Sequence, residues 1–217
     1  MIDTDSRLRV ARGIDKTETL ASIQVFETLK ERGHPDKPPP TISDGWGGID
    51  EAMITVYGKV PHYKGVGRPP TKKQPQSGWQ YVQMVKQRSN GRVVGTKLRV
   101  IYGDHEEVIE LLGQSTAYAE RNHLTMRQFN GRLVRKGLGF SKLLKMYIAS
   151  ATWEDCIYNL GRGHKSLRRE VNVEDSRLVG DDTQRRWEQR SPAMAAGLTD
   201  HIWNVKELLT TIVTPNT

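Results

Sequence analysis

Apolar residues recur at helical spacing between Thr17 and Arg32, where Leu20, Ile23, Val25, Phe26 and Leu29 describe one face. The pattern predicts an amphipathic helix, with Gly33 at its end and Pro35 just beyond. Ahead of it, Leu8, Val10 and Ile14 alternate with polar residues over Arg7 to Ile14, as in a strand. Pro38 to Pro40 form a stiff connector into Thr41-Ile-Ser-Asp-Gly-Trp, which predicts a short strand with Asp44 at its tip. A helix over Ile49 to Tyr57 follows, and glycine, proline and lysine then make Gly58 to Gly78 an exposed basic loop. Trp79 to Lys86 and Val93 to Tyr102 read as strands joined at Asn90-Gly91, a strong hairpin signal. Further helices are expected over Asp104 to Leu112 with Asp104 as N-cap, Thr116 to Lys136, Lys142 to Asn159, and Thr199 to Ile212. Arg169 to Asp182 is acid-rich and loop-like. Strands and helices in this order, with a central hairpin, give an α/β or α+β domain.

At 217 residues the chain is long enough for one domain, or one domain with an appendage, and for a core that needs no staples. Its single cysteine, Cys156, excludes an internal disulfide or a cysteine-rich zinc site and is read as a small buried apolar residue. No stretch approaches the 18 or more apolar residues of a membrane span. A basic protein of the cytoplasm, without a membrane partner, is expected.

Charge sharpens the picture through its distribution. The formal net charge is +8, yet residues 52 to 153 alone carry 17 Lys and Arg against 5 Asp and Glu. No acid occurs from Ala52 to Gly103, while ten Lys or Arg lie between Lys59 and Arg99. Such a block suits a polyanion, most simply nucleic acid phosphates; solvated helix faces and a basic loop are the plainer account. Glu120 stands alone between Glu110 and Glu154 on a basic helix. A lone carboxylate there opposes phosphate binding unless a cation reverses the penalty; an ordinary solvent-exposed helix glutamate is the plainer account. Hard divalent ions take carboxylate oxygens, waters and substrate phosphates as ligands. Three acids stand at suitable places, Asp3 near a first strand, Asp44 at a strand tip and Glu120. Three carboxylates can hold two ions, which clamp the attacking and leaving oxygens of an in-line displacement at phosphorus.

Four segments carry a resemblance: Ser43-Asp-Gly-Trp46, Tyr118-Ala-Glu-Arg-Asn-His-Leu-Thr-Met-Arg127, Asn130-Gly-Arg-Leu-Val-Arg-Lys136 and Phe140-Ser-Lys142. Together they resemble the catalytic domain of insertion-sequence transposases with an Asp-Asp-Glu triad. The nearest likeness is to small bacterial elements whose pattern runs Asp-Gly-Trp, Glu-Arg-x-Asn-Leu-Thr-x-Arg, then Phe-Ser-Lys. Tyr158-Asn159 with Arg162, His164 and Ser166-Leu167 is similar to a late stretch of such domains, and Ser191-Pro-Ala-Met-Ala195 to their Thr-Pro-Ala segment. The resemblance implies a ribonuclease H-like core, cleavage of transposon ends and strand transfer into target DNA, and two Mg²⁺ or Mn²⁺ ions. It further implies a homo-oligomer on DNA, associated with the bacterial nucleoid. Carried over by motif, Asp3 (or Asp5), Asp44 and Glu120 are the metal-binding catalytic acids. Lys72, Lys73, Arg121, His123, Arg127, Arg132 and Arg135 are the expected DNA contacts, with a solvated histidine the alternative for His123. His164 either orients a carboxylate or caps a turn, and Trp46 packs beside the site or in the core.

Residues 1–169 are then the catalytic domain and 170–217 a helical C-terminal extension. Residues 58–102 are an inserted basic hairpin that contacts DNA, pairs with a partner subunit, or serves only the fold. The chain departs from the family in the 75 residues separating Asp44 from Glu120 and in Gly163 before His164, where proline is usual. It departs also in having only Met1 and Ile2 before Asp3, where a central strand needs about five residues. A truncated first strand and a missing recognition segment are therefore expected, and a non-catalytic DNA-binding remnant is the alternative function.

Overall fold

The computed structural model describes residues 1–63, 65, 67–112, 117–134, 137–171, 178–179, 183–184 and 186–211. They form a mixed α/β structure whose largest sheet has three strands, with several helices. The chain divides into two units, Met1 with Val10–Glu120, and Ile2–Arg9 with Arg121–Thr217. The boundary expected at residue 169 falls inside the second unit.

The first unit is built on helix α1 (Glu18–Arg32), strand β1 (Thr41–Asp44), helix α2 (Gly48–Tyr57), strands β2 (Tyr81–Ser89) and β3 (Arg92–Tyr102), and helix α3 (His105–Leu112). α1 starts where sequence places it because the Thr17 hydroxyl accepts the Leu20 N–H, and it stops where the Gly33 N–H reaches back to Leu29 O. β2 is the central strand. It pairs in parallel with β1, Thr41 to Asp44 lying against Tyr81 to Met84, and antiparallel with β3. The hairpin turns through Asn90 and Gly91, both at positive φ (49° and 76°), the two-residue turn whose twist matches the strands. Residues 58–102 therefore supply the middle of the sheet as well as a basic loop. Asp104 caps α3 by accepting the Glu106 and Glu107 N–H groups.

A chain of aromatic edges forms the core of this unit. Phe26 meets Tyr57 at 6.4 Å between centroids, Tyr57 meets Trp79 at 6.4 Å, and Trp79 meets Tyr102 at 5.3 Å, each close to perpendicular. Edge-to-face pairs of this kind each contribute about 0.5–1.5 kcal/mol beyond the area they bury. Ala52 and Met53 of α2 and Leu29 of α1 close the cluster; of the face predicted for α1, Phe26 and Leu29 are buried, Ile23 and Val25 pack against the cluster, and Leu20 stays 46% exposed.

The second unit contains the rest of α4 (Ala117–Phe129), then α5 (Leu144–Cys156), which runs on as a π-helical turn over Ile157–Gly161. β4 (Arg169–Glu170) pairs with β7 (Trp187–Glu188), and β5 (Leu178–Val179) with β6 (Thr183–Gln184). α6 (Pro192–Ala195) and α7 (Val205–Thr210) are short, capped by Ser191 and Asn204. The C-terminal part thus differs from the helical expectation, its described helices being four and six residues long beside two small strand pairs.

Two further expectations are corrected. The strand over Arg7 to Ile14 does not form; Ile2 and Arg9 make a single antiparallel bridge around a tight turn, and Asp3 lies in that turn. α4 ends at Phe129, not Lys136, because Asn130 is extended and its side chain caps the next turn at Arg132 N–H. Among the described residues no helix is long and apolar enough to cross a membrane.

Candidate catalytic site

Asp44 is the last residue of β1, exposed at the carboxyl end of the only parallel pair among the described strands. In open α/β sheets that end is where ligands bind. Its Oδ1 accepts the Trp46 N–H at 3.2 Å, closing the Asp44-Gly-Trp turn on itself. The opposite face of the sheet secures the same turn. There Tyr81 and Gln83 are buried, Ser43 Oγ lies 2.8 Å from Tyr81 Oη, and Gln83 Nε2 donates to Tyr81 Oη at 2.8 Å and to Trp46 O at 3.3 Å. The Arg99 guanidinium donates to Gln83 Oε1. Burial raises the Tyr81 hydroxyl above its ordinary pKa although Ser43 and Gln83 pull the other way, so it stays neutral. The Trp46 ring lies over Gly48 and leaves no room for a Cβ there, which seats it on the start of α2.

Glu120 lies in the first turn of α4, where a carboxylate suits the helix dipole. Lys86 Nζ stands 2.9 Å from Glu120 Oε1, with both side chains open to solvent. Lys86 is two residues beyond Met84, the register partner of Asp44, so strand alternation puts Asp44, Met84 and Lys86 on one face. The step from Met84 to Lys86 is roughly 7 Å along the strand. One end and one face of the sheet thus carry Asp44 and the lysine that holds Glu120.

Asp3 belongs to the second unit. Its Oδ2 accepts the Ser6 backbone N–H at 2.9 Å and also the Ser6 hydroxyl. Burial pushes this carboxyl up, but the Ser6 hydrogen bonds, the Asp5 backbone and the Arg7 charge outweigh it and hold the pKa below the usual carboxylate value. Asp5 is exposed in the same turn. No group of three or more His, Cys, Asp or Glu is gathered among the described residues.

The expected DNA contacts divide by environment. Lys72 is exposed in the basic loop, whereas Lys73 Nζ is tied to Thr55 O at the end of α2, 2.5 Å away. Arg121, His123 and Arg127 are exposed on α4, and Arg132 donates to Ser141 Oγ at 2.8 Å. Arg135 lies outside the described residues.

Sequence reasoning missed Arg9. Its guanidinium is buried in the second unit, Nε donating to Asn122 Oδ1 at 2.6 Å and Nη1 to Asp155 Oδ1 at 3.0 Å. Nη1 also stands 2.6 Å from Glu154 Oε2, and the plane lies 3.7 Å over the Tyr158 ring. Asn159 closes the arrangement through both backbone groups of Arg9. An arginine in a short polar N-terminal stretch carries no local sign of this. His164 is half-buried with its ring edge-on to Tyr158 at 4.6 Å and its Nε2 without a hydrogen-bond partner. Its ring serves the packing around Tyr158. No family model, curated protein or solved structure matches the chain.

Proposed function

We propose that the chain is the catalytic domain of an Asp-Asp-Glu DNA transposase, a ribonuclease H-like enzyme that cuts transposon ends and joins them to target DNA. One observation carries this reading: Asp44 at the carboxyl end of β1 and the Lys86–Glu120 pair share one end and one face of the sheet. The order of the Asp-Gly-Trp, Glu-Arg-Asn-His-Leu-Thr and Phe-Ser-Lys segments supports it.

The donor set suits Mg²⁺ or Mn²⁺. Asp44 and Glu120 offer hard oxygens with little desolvation to overcome, and Asp3 is held ionised by Ser6. When bound, two such ions neutralise charge developing on the attacking and leaving oxygens. The chain's own contribution is positional. Gln83 and Tyr81 fix the Asp44 turn, Lys86 counters Glu120, and the exposed Lys72, Arg121 and Arg127 hold phosphates. Water, then a freed 3′ hydroxyl, displaces at phosphorus without a covalent enzyme intermediate, so alignment and electrostatics dominate the rate. The working form is a homo-oligomer on DNA.

The basic block over residues 52 to 153, 17 Lys and Arg against 5 Asp and Glu, supports a second reading equally well, a DNA-binding remnant with no competent site. Nicking of supercoiled plasmid in Mn²⁺ separates the two. The proposal expects nicking that Asp44→Asn and Glu120→Gln abolish while duplex binding persists. Duplex binding without any nicking supports the remnant.

A further inference from the structure

The chain has three phenylalanines, and only Phe26 is in the core. Phe129 and Phe140 are 62% and 63% exposed, and both line one cavity of about 510 Å³ in the second unit. Trp153 and Tyr158 add two more aromatic walls. That volume lies within the range of small-ligand sites, and exposed aromatic surface of this extent calls for an occupant.

The polar groups narrow its chemistry. Arg132 and Arg162 line the cavity, and the Arg162 guanidinium lies 4.5 Å over the Phe129 ring. Both arginines are exposed, Arg132 donating through Nη1 to Ser141 Oγ at 2.8 Å. Glu154 is the single acid of the lining, and Arg9 at 2.6 Å offsets its charge, so the site does not repel an anion. Flat aromatic faces, an arginine already stacked on one of them, and cations at the rim match a planar aromatic ring joined to a phosphate. An apolar peptide side chain would leave both arginines without a role.

We propose that this cavity binds an unpaired nucleobase and its phosphate, presented by a single-stranded stretch of DNA. The base stacks on Phe129 and Phe140, and Arg132 and Arg162 take the adjoining phosphate. Paired bases are excluded because a stacked duplex offers no free face. The nucleotide chemistry stands on the second unit alone; DNA as its source rests on the function proposed above.

Fluorescence anisotropy of the full chain with a labelled single strand of about 12 nucleotides, and with the same strand duplexed, tests this. Phe129→Ala with Phe140→Ala should weaken single-strand binding by about 5- to 140-fold per stacked base, and duplex binding by less than about twofold. Because both rings are exposed, the thermal midpoint should stay close to wild type. A 2-aminopurine base within the strand should be quenched on binding wild type and not the double variant, a readout that uses the unmodified protein. Competition by a free deoxynucleotide monophosphate identifies a mononucleotide pocket; binding of the strand alone identifies a strand site. Equal single-strand affinity in wild type and variant, or no quenching, overturns the proposal. Loss of nicking in the plasmid assay with this preference intact would count against the catalytic reading only.

Discussion

Lys86 Nζ lies 2.9 Å from Glu120 Oε1, joining the central strand of the sheet to the first turn of α4. The two side chains are 48% and 60% exposed, so water screens the pair and its contribution to stability is small, about 0–1 kcal/mol. Its importance is local, because it sets the charge around Glu120.

Replacing Lys86 by Met should therefore shift the thermal midpoint by no more than about 4 °C, the shift that roughly 1 kcal/mol gives a chain of this size. The same change should tighten Mn²⁺ binding several-fold, since Glu120 loses its competing cation. Titration calorimetry with Mn²⁺ on wild type, Lys86→Met and Glu120→Gln reads this directly. Unchanged affinity in all three would remove Glu120 from the metal site.

Gln83 joins Tyr81, Trp46 and Arg99, and so ties the Asp44 turn to the buried face of the sheet. Gln83→Leu leaves the Trp46 carbonyl and an Arg99 donor unpaired, which should cost about 1–3 kcal/mol. Amide exchange should quicken at Gly45 to Gly48 more than in α1. Uniformly faster exchange across the first unit would mean that Gln83 serves the core and not the turn.

Elements with local signals were legible. Thr17 and Gly33 announce α1, Asn90-Gly91 the hairpin, and Asp104 the start of α3. The parallel pairing of β1 with β2 was not, because Thr41 and Tyr81 are distant in sequence and nothing local fixes their register. The end of α4 was missed because Leu133 and Val134 prolong the apolar spacing, while Asn130, an ordinary polar residue in that pattern, spends its side chain on Arg132 N–H. Asp44 and Glu120 were legible as isolated acids in characteristic contexts. The lysine that links their surroundings was not, since any of ten cations between Lys59 and Arg99 fits the pattern equally well.

Arg9 and Glu154 have side chains 4% and 9% exposed, their contact is the 2.6 Å approach of Nη1 to Oε2, and Arg9 Nη2 lacks a hydrogen-bond partner. Removing one partner of such a pair strands a buried charge, so Arg9→Met should cost about 3–5 kcal/mol in urea unfolding. Adding Glu154→Leu and Asp155→Asn should restore most of that loss, since apolar replacement of a buried ion pair is often neutral. A triple variant no more stable than Arg9→Met would show that the network is satisfied better than its geometry indicates.

Burial, and then the Arg162 charge, lower the His164 pKa below its ordinary value. The unfolded chain therefore binds the proton more readily than the folded one. Stability from this group is complete above about pH 6.5 and falls as pH drops below that value toward the lowered folded pKa. His164→Gln should flatten the urea midpoint against pH between about 6.5 and 5. A wild-type profile that rises on acidification in this window would reverse the sign of the argument.

DNA binding by the basic block should show a steep salt dependence, with each neutralised phosphate adding about −0.9 to the slope of log affinity against log salt on duplex. The loop lysines should not behave alike. Lys72 is exposed, so Lys72→Glu should lower affinity and slope while leaving stability unchanged. Lys73 is anchored to Thr55 O, so Lys73→Glu should also lower the thermal midpoint, because it releases the loop from the end of α2. Arg121→Glu with Arg127→Glu, both exposed on α4, should reduce the slope by up to about 2. Filter binding at several salt concentrations measures all three variants. If neither the Lys72 variant nor the α4 pair changes the slope, the phosphates are held elsewhere, and the central basic block is a solvated surface.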